Sequence, residues 1–183
     1  MAREIVFFNA AEATTVEAIA ARIFPGDADD PGAREADVLT YIDRSLGGAY
    51  QELQTAYRRG LAELEHLCAD RHGASFVELS EESQDQIVGE LDERLALLET
   101  GEPGVDDPRL LTLAEFFGMV RQHTLEGMLC DPMYGGNRGC VGWRLVGFPG
   151  AQWGYSADQM TPDFDATAIP VKTLSQLREE RAE

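Results

Sequence analysis

The stretch that most constrains the fold runs from residue 123 to residue 160 and reads HTLEGMLCDPMYGGNRGCVGWRLVGFPGAQWGYSADQM. It holds both tryptophans, two of the three cysteines and eight of the eighteen glycines in a chain of 183 residues. Three short sequences within it are typical of turns, namely Asp131-Pro132, Gly135-Gly136-Asn137 and Phe148-Pro149-Gly150. Large aromatics interleaved with glycine fit neither an amphipathic helix nor an alternating strand. We therefore expect an ordered, irregular coil whose aromatic rings pack on a surface.

The sequence before this coil has the periodicity of helices and no stretch that alternates as a strand would. Apolar spacing predicts helices over residues 10–24, 33–46, 49–71, from just after 80 to about 98, and from 112 to just before 131, with an exposed loop over 101–108. Asn9 with Glu12, and Thr112 with Glu115, have the spacing of a capping box, and Gly73 stands where a C-terminal glycine would. The sequence thus predicts an all-α bundle of about five helices with a long, ordered, Gly- and aromatic-rich coil toward the C-terminus.

The length of the chain is that of one domain with a real core. We expect residues 1–160 to form a single helical domain that includes the whole stretch 123–160, and residues 161–183 to form a C-terminal tail. No apolar run approaches the length of a membrane span. The apolar patch at residues 5–8 is too short for a secretory signal. A cytoplasmic location is therefore expected, and export together with a partner stays open.

Charge is distributed unevenly along the chain. The formal net charge of −18 argues against nucleic acid and anionic membrane as partners, because like charges repel. Between residues 78 and 107 there are eleven acids and one arginine, whereas from 115 to 155 three acids are matched by three arginines. A neutral aromatic segment is typical of internal core and also of protein interfaces. Composition alone favours the interpretation of this segment as internal core, and it leaves the interpretation as an interface open.

Few residues suggest chemistry within this chain. Glu63 and His66 have the Glu-x-x-His spacing of di-iron bundle proteins, but the only other such pair is the reversed His123 and Glu126. A stand-alone helical metal-dependent enzyme is therefore kept as the alternative function, against the simpler interpretation of Glu63 and His66 as surface residues. His123 lies on an apolar face, so we expect a core histidine bonded to Glu126 or to a backbone carbonyl. A subunit contact is the second interpretation.

The remaining signatures of catalysis are missing from the sequence. There is no Cys-x-x-Cys pair, no phosphate-binding glycine loop and no Gly-x-Ser-x-Gly elbow. Cys130 and Cys140 flank a turn, and their spacing leaves open whether they meet each other or a cysteine of a partner. We assign no catalytic, cofactor-binding or metal-binding residue to this chain.

The run HTLEGMLCDPMYGGNRGCVGWRLVGFPG resembles the signature of the gluconate 2-dehydrogenase subunit 3 family. The match is dense over about thirty residues, and the resemblance extends over roughly residues 8–160. The positions that carry it are Asp131, Pro132, Tyr134, Gly135, Gly136, Asn137, Gly142, Trp143, Gly147, Phe148, Pro149 and Gly150.

The resemblance implies a non-catalytic small subunit of a flavin-dependent sugar or polyol dehydrogenase. In that family the partner is a large subunit of the glucose–methanol–choline class, which carries FAD and the catalytic groups, and a cytochrome often accepts the electrons. The small subunit stabilises and matures its partner, and many members begin with a twin-arginine export signal, which is not seen here. Because the coil concentrates aromatics and glycine without charge, we expect it to bind the large subunit, with Trp143, Tyr134 and Phe148 as anchors. The residues predicted to bind this partner are Asp131, Pro132, Tyr134, Gly135, Gly136, Asn137, Trp143, Phe148, Pro149 and Gly150.

Overall fold

Helices provide the regular secondary structure of the computed structural model, which describes residues 4–101 and 107–182. The α-helices are α1 (Ala10–Ile23), α2 (Val38–Gly47), α3 (Gln54–His72), α4 (Glu81–Thr100), α5 (Pro108–Leu129), α6 (Val141–Leu145) and α7 (Leu174–Ala182). Within these ranges no strand forms, and one isolated bridge joins Gly150 to Lys172. The prediction of an all-α fold is confirmed.

Helix α5 lies at the centre of the bundle and packs against α1, α2, α3 and α4. Helix α3 packs tightly on α5 at Gly60, where a Cβ would lie 2.2 Å from the Phe116 ring. Phe116 also meets the ring of Tyr57 edge-on at 5.6 Å between centroids, and both side chains are buried. Burial of these large rings, together with the aliphatic residues around them, supplies the main apolar stabilisation of the fold.

Several helix ends follow the capping signals in the sequence. Asn9 and Glu12 form the predicted capping box at the start of α1, with each side chain accepting from the other residue's backbone N–H. Gly73 ends α3 in the left-handed region at φ +70°, and the Ser80 side chain caps α4. These local signals fixed helix ends because the groups that satisfy the free N–H and C=O lie within three or four residues.

Two helix starts differ from the predictions. Helix α2 begins at Val38 and not at residue 33, because residues 33–37 form a turn that leaves Asp37 in the left-handed region at φ 56°. The segment predicted to start at residue 49 opens with a 3-10 turn over Gln51–Leu53, and α3 follows at Gln54.

Helix α5 starts four residues before the predicted cap. The Asp107 side chain accepts from the backbone N–H of Arg109 at 2.9 Å, and Pro108 occupies the first turn, where its missing N–H costs nothing. The hydroxyl of Thr112 instead donates to the carbonyl of Pro108 inside the helix. Residues 102–106 of the predicted loop lie outside the described residues. Among the residues that are described, no helix is both long and apolar enough to cross a membrane.

Candidate functional site

The signature segment, defined here as residues 130–150, folds onto the C-terminal end of α5 through Asn137. The Asn137 side chain is fully buried and bonds in two directions, donating to the carbonyl of Cys130 at 2.8 Å and accepting from the N–H of Gly142 at 2.9 Å. Its own N–H donates to the carbonyl of Gly127 at 2.7 Å. Asparagine is among the few residues that adopt the left-handed conformation readily, and Asn137 has φ 45°. The Gly-Gly-Asn turn is therefore an internal anchor of the segment.

Two glycines allow the segment to lie directly against the α5 backbone. A Cβ on Gly136 would lie 2.2 Å from the carbonyl oxygen of Gly127, and a Cβ on Gly142 would lie 1.9 Å from that of Met128. No side chain fits at such distances, so both positions require glycine.

Trp143 lies inside this arrangement. Only 5% of its surface is exposed, and its indole N–H donates to the carbonyl of Leu129, the last residue of α5, at 2.6 Å. The Phe148 ring meets the indole edge-on at 5.3 Å. Gly150 passes beneath the indole, where a Cβ would lie 2.7 Å from the ring. Trp143 thus packs as core of this chain, the interpretation that composition favoured.

Asp131 ties the signature segment to the C-terminal region. One carboxylate oxygen accepts from the N–H of Met133 at 3.0 Å, and the other accepts from the N–H of Leu174 at the start of α7 at 2.7 Å. Lys172 continues the connection, since its N–H donates to the carbonyl of Pro149 at 3.1 Å. Residues 172–174 therefore pack on the signature segment, while the domain boundary placed at residue 160 stays a prediction.

The ten residues predicted to bind a partner divide by exposure. Tyr134 and Phe148 are exposed, at 54% and 45% of their surfaces, and Pro132 and Gly135 are half-buried. The buried ones are Asp131, Gly136, Asn137, Trp143, Pro149 and Gly150. Most of the motif therefore builds the segment, and a minority of its side chains face outward.

Exposed apolar side chains concentrate on and around this segment. Of the twelve large apolar residues exposed in the described ranges, ten lie between residues 125 and 160. We call these ten the signature surface: Leu125, Leu129, Met133, Tyr134, Leu145, Val146, Phe148, Trp153, Tyr155 and Met160. Large exposed apolar patches mark interaction sites, so this concentration makes residues 125–160 the candidate interaction site of the chain. Periodicity could not find it, because an irregular segment has no repeat that separates inner from outer positions.

His123 is a buried histidine held by aromatic residues. Its Nδ1 lies 2.7 Å from the hydroxyl of Tyr57, and its ring stacks on Tyr50 at 4.8 Å and on Tyr57 at 5.7 Å. Burial lowers the pKa of His123, and the nearby Glu126 carboxylate opposes that shift. The predicted core position is confirmed, but the bond partner is Tyr57 and not Glu126. The Glu126 carboxylate instead accepts from the hydroxyls of Tyr41 and Tyr50.

The pair that suggested a metal site has a different use. Glu63 accepts from the Arg109 side chain at 3.0 Å, and His66 is exposed. The described residues contain no group of three or more metal-ligand side chains close enough to hold an ion.

The three cysteines are free thiols, and burial raises the pKa of Cys130 and of Cys68 to about 11. These thiols therefore stay protonated at neutral pH.

Comparison with known proteins gives one result that covers most of the chain. The model of the family described as gluconate 2-dehydrogenase subunit 3 matches residues 10–150, which include α1 to α6 and the signature segment. Neither the search of curated proteins nor the search of solved structures gives a match. Because the family model spans well over half of the sequence, the chain belongs to the gluconate 2-dehydrogenase subunit 3 family.

Proposed function

We propose that this chain is a non-catalytic accessory subunit of an FAD-dependent sugar or polyol dehydrogenase. Family membership implies a place in a multisubunit dehydrogenase complex. The proposed partner is the large catalytic subunit of the glucose–methanol–choline class. In this proposal FAD and the catalytic groups belong to that partner, and a cytochrome c takes the electrons.

The observation that carries the proposal is the signature surface. Residues 125–160 hold ten exposed apolar side chains, yet the same stretch has only three acids in a chain with a net charge of −18. Protein interfaces have this composition, with aromatics and methionine enriched and charged residues depleted at the centre. Elsewhere the acidic surface keeps the chain from associating unspecifically.

The rigidity of the segment also supports a docking role. Asn137, Trp143 and Asp131 fix the signature segment to α5 and to α7 by hydrogen bonds with little exposure of their own. A surface that is fixed before binding loses less conformational entropy when the partner docks. Trp143 therefore acts as a positioning residue behind the surface, and Tyr134 and Phe148 remain the proposed anchors.

A stabilising role follows from mass action. A subunit that binds only the folded flavoprotein shifts the folding equilibrium toward the folded form, by an amount set by its concentration relative to the Kd. Covering an apolar face of the flavoprotein also removes a site of aggregation. These two effects, a shifted folding equilibrium and reduced aggregation, would constitute a maturing, chaperone-like activity.

The test is co-expression of the large flavoprotein subunit from the same genome with and without this chain. We expect a higher yield of soluble flavoprotein, a higher FAD content and co-purification of the two chains when both are present. Equal yield and FAD content in both cases, with no co-purification, would contradict the proposal. The control is co-expression with an unrelated acidic helical protein of similar size.

A further inference from the structure

A cavity of about 420 Å³ opens between α2, the turn that follows it and the signature segment. It is lined by Tyr41, Arg44, Ser45, Ala49, Tyr50, Cys130 and Tyr134. Three of the seven lining residues are tyrosines, and pockets of this size with aromatic walls and a few polar groups are typical of binding sites. Tyr134 belongs to this cavity and also to the signature surface, so the cavity is continuous with the proposed interface.

Two aromatic walls of the cavity are fixed from behind. The hydroxyls of Tyr41 and Tyr50 donate to the Glu126 carboxylate at 2.8 and 3.3 Å, and the Tyr50 ring stacks on buried His123. Glu126 also accepts from the side chain of Gln122 at 2.9 Å. Its carboxylate is therefore occupied by three donors, and the walls are set before any ligand arrives.

Arg44 supplies the positive charge of the cavity. Its side chain lies against Gly135, where a Cβ would come within 3.2 Å of the arginine stem and 3.3 Å of the guanidinium. Gly135 has φ +108°, a conformation that other residues rarely adopt, so the motif glycine leaves this space to the arginine. Within the described ranges no carboxylate forms an ion pair with Arg44, although acids outnumber bases 33 to 15 in the sequence.

The geometry points to a carboxylate side chain of the flavoprotein subunit as the occupant of this cavity. An aspartate or glutamate on a surface loop of that subunit would pair with Arg44, and the apolar residues next to it would pack on the rings of Tyr41, Tyr50 and Tyr134. A guanidinium is suited to this role because its fork of donors matches the two oxygens of a carboxylate. The inference rests on the proposed function and adds to it one charged anchor at the edge of an otherwise apolar interface.

The test measures the Kd between the purified flavoprotein subunit and variants of this chain over a range of salt concentrations. Arg44→Gln should raise the Kd about tenfold and flatten its salt dependence, because it removes an interfacial ion pair. Arg44→Lys keeps the charge without the fork and should raise the Kd less. The matched control is Arg59→Gln, an exposed arginine on α3 that likewise has no ion pair in the described part of the chain, and its Kd should be unchanged.

A second variant tests the cavity without changing charge. Ala49→Trp places a large ring in the exposed turn that lines the opening, and it should weaken binding at least as much as Arg44→Gln. Circular dichroism melting checks that each variant keeps the wild-type fold.

The outcomes separate this inference from the function on which it rests. Kd values within twofold of wild type for both Arg44→Gln and Ala49→Trp would overturn the cavity assignment. If variants elsewhere on the signature surface still weaken binding, the accessory function stands without the cavity assignment. A wild-type chain that does not bind the flavoprotein at all would overturn both.

Discussion

The indole N–H of Trp143 donates to the backbone carbonyl of Leu129 at 2.6 Å, which joins the signature segment to the last residue of α5. This bond satisfies a carbonyl at the helix end that would otherwise have no partner within the helix. The indole is 95% buried within this chain, because Phe148 and the backbone at Gly150 pack against it. The segment is thus a fixed part of the fold, and its exposed side chains project from a backbone that is held in place.

Trp143→Ala should destabilise this chain by about 3–5 kcal/mol, the usual cost of removing a buried large aromatic side chain. Trp143→Phe keeps much of the packing and loses the bond to Leu129, so its cost should be about 1–2 kcal/mol. Urea unfolding followed by circular dichroism measures both. A Trp143→Ala chain with wild-type stability would show that the indole is not part of the core.

Gly142→Ala tests the close approach of the signature segment to α5. A methyl group there would overlap the carbonyl oxygen of Met128, so the two backbones must separate at a cost of about 1–3 kcal/mol or more. Gly154→Ala is the matched control, because its Cβ would meet nothing within 4 Å and its backbone is not left-handed. The melting temperature should fall for the first variant only. Equal melting temperatures would contradict the observed packing.

His123 should make stability depend on pH. Its pKa is lowered in the folded state, whereas the unfolded chain keeps a histidine pKa of about 6.5. Below that pH the unfolded state binds a proton that the folded state resists, so stability falls as pH falls, by at most about 1.4 kcal/mol per pH unit. The fall continues until the pH reaches the lowered folded-state pKa, and the contribution is fully present above pH 6.5.

The measurement compares wild type with the double variant Tyr57→Phe/His123→Phe, which removes the titrating ring together with the hydroxyl bonded to it. Urea unfolding between pH 5.5 and 7.5 should give the wild type the steeper loss toward acid. The other histidines, His66 and His72, are present in both proteins and cancel. Parallel pH profiles would exclude the assigned role of His123.

The sequence predicted the elements whose signals are local. The Asn9–Glu12 box and the Gly73 end were found because a cap and its partner lie within a few residues. The start of α5 was misplaced because Thr112 with Glu115 has the same spacing as a cap, while Asp107 with Pro108 satisfies the helix end. A short motif cannot show which of two such candidates starts the helix. That choice depends on how the first turn packs in the folded chain.

The long-range contacts of the candidate site could not be predicted from the sequence. The bond between His123 and Tyr57 spans 66 residues, and the one between Asp131 and Leu174 spans 43. The motif itself was recognised, but which of its residues face outward depends on how the segment lies on α5. Tyr134 and Phe148 are exposed whereas Trp143 is buried, a difference that residue type alone does not reveal.

The most direct test of the account is the affinity of the large flavoprotein subunit for a chain carrying Val146→Ser and Phe148→Ser. Both residues belong to the signature surface, at 62% and 45% exposure, and neither lines the cavity beside Arg44. The control carries Val6→Ser and Val77→Ser, which are exposed apolar residues outside that surface. We predict that the first variant keeps its helical fold and binds at least tenfold more weakly, as expected when an aromatic anchor is lost, while the control binds like wild type. Equal affinity of the two folded variants would contradict the claim that the signature surface is where this subunit meets its partner.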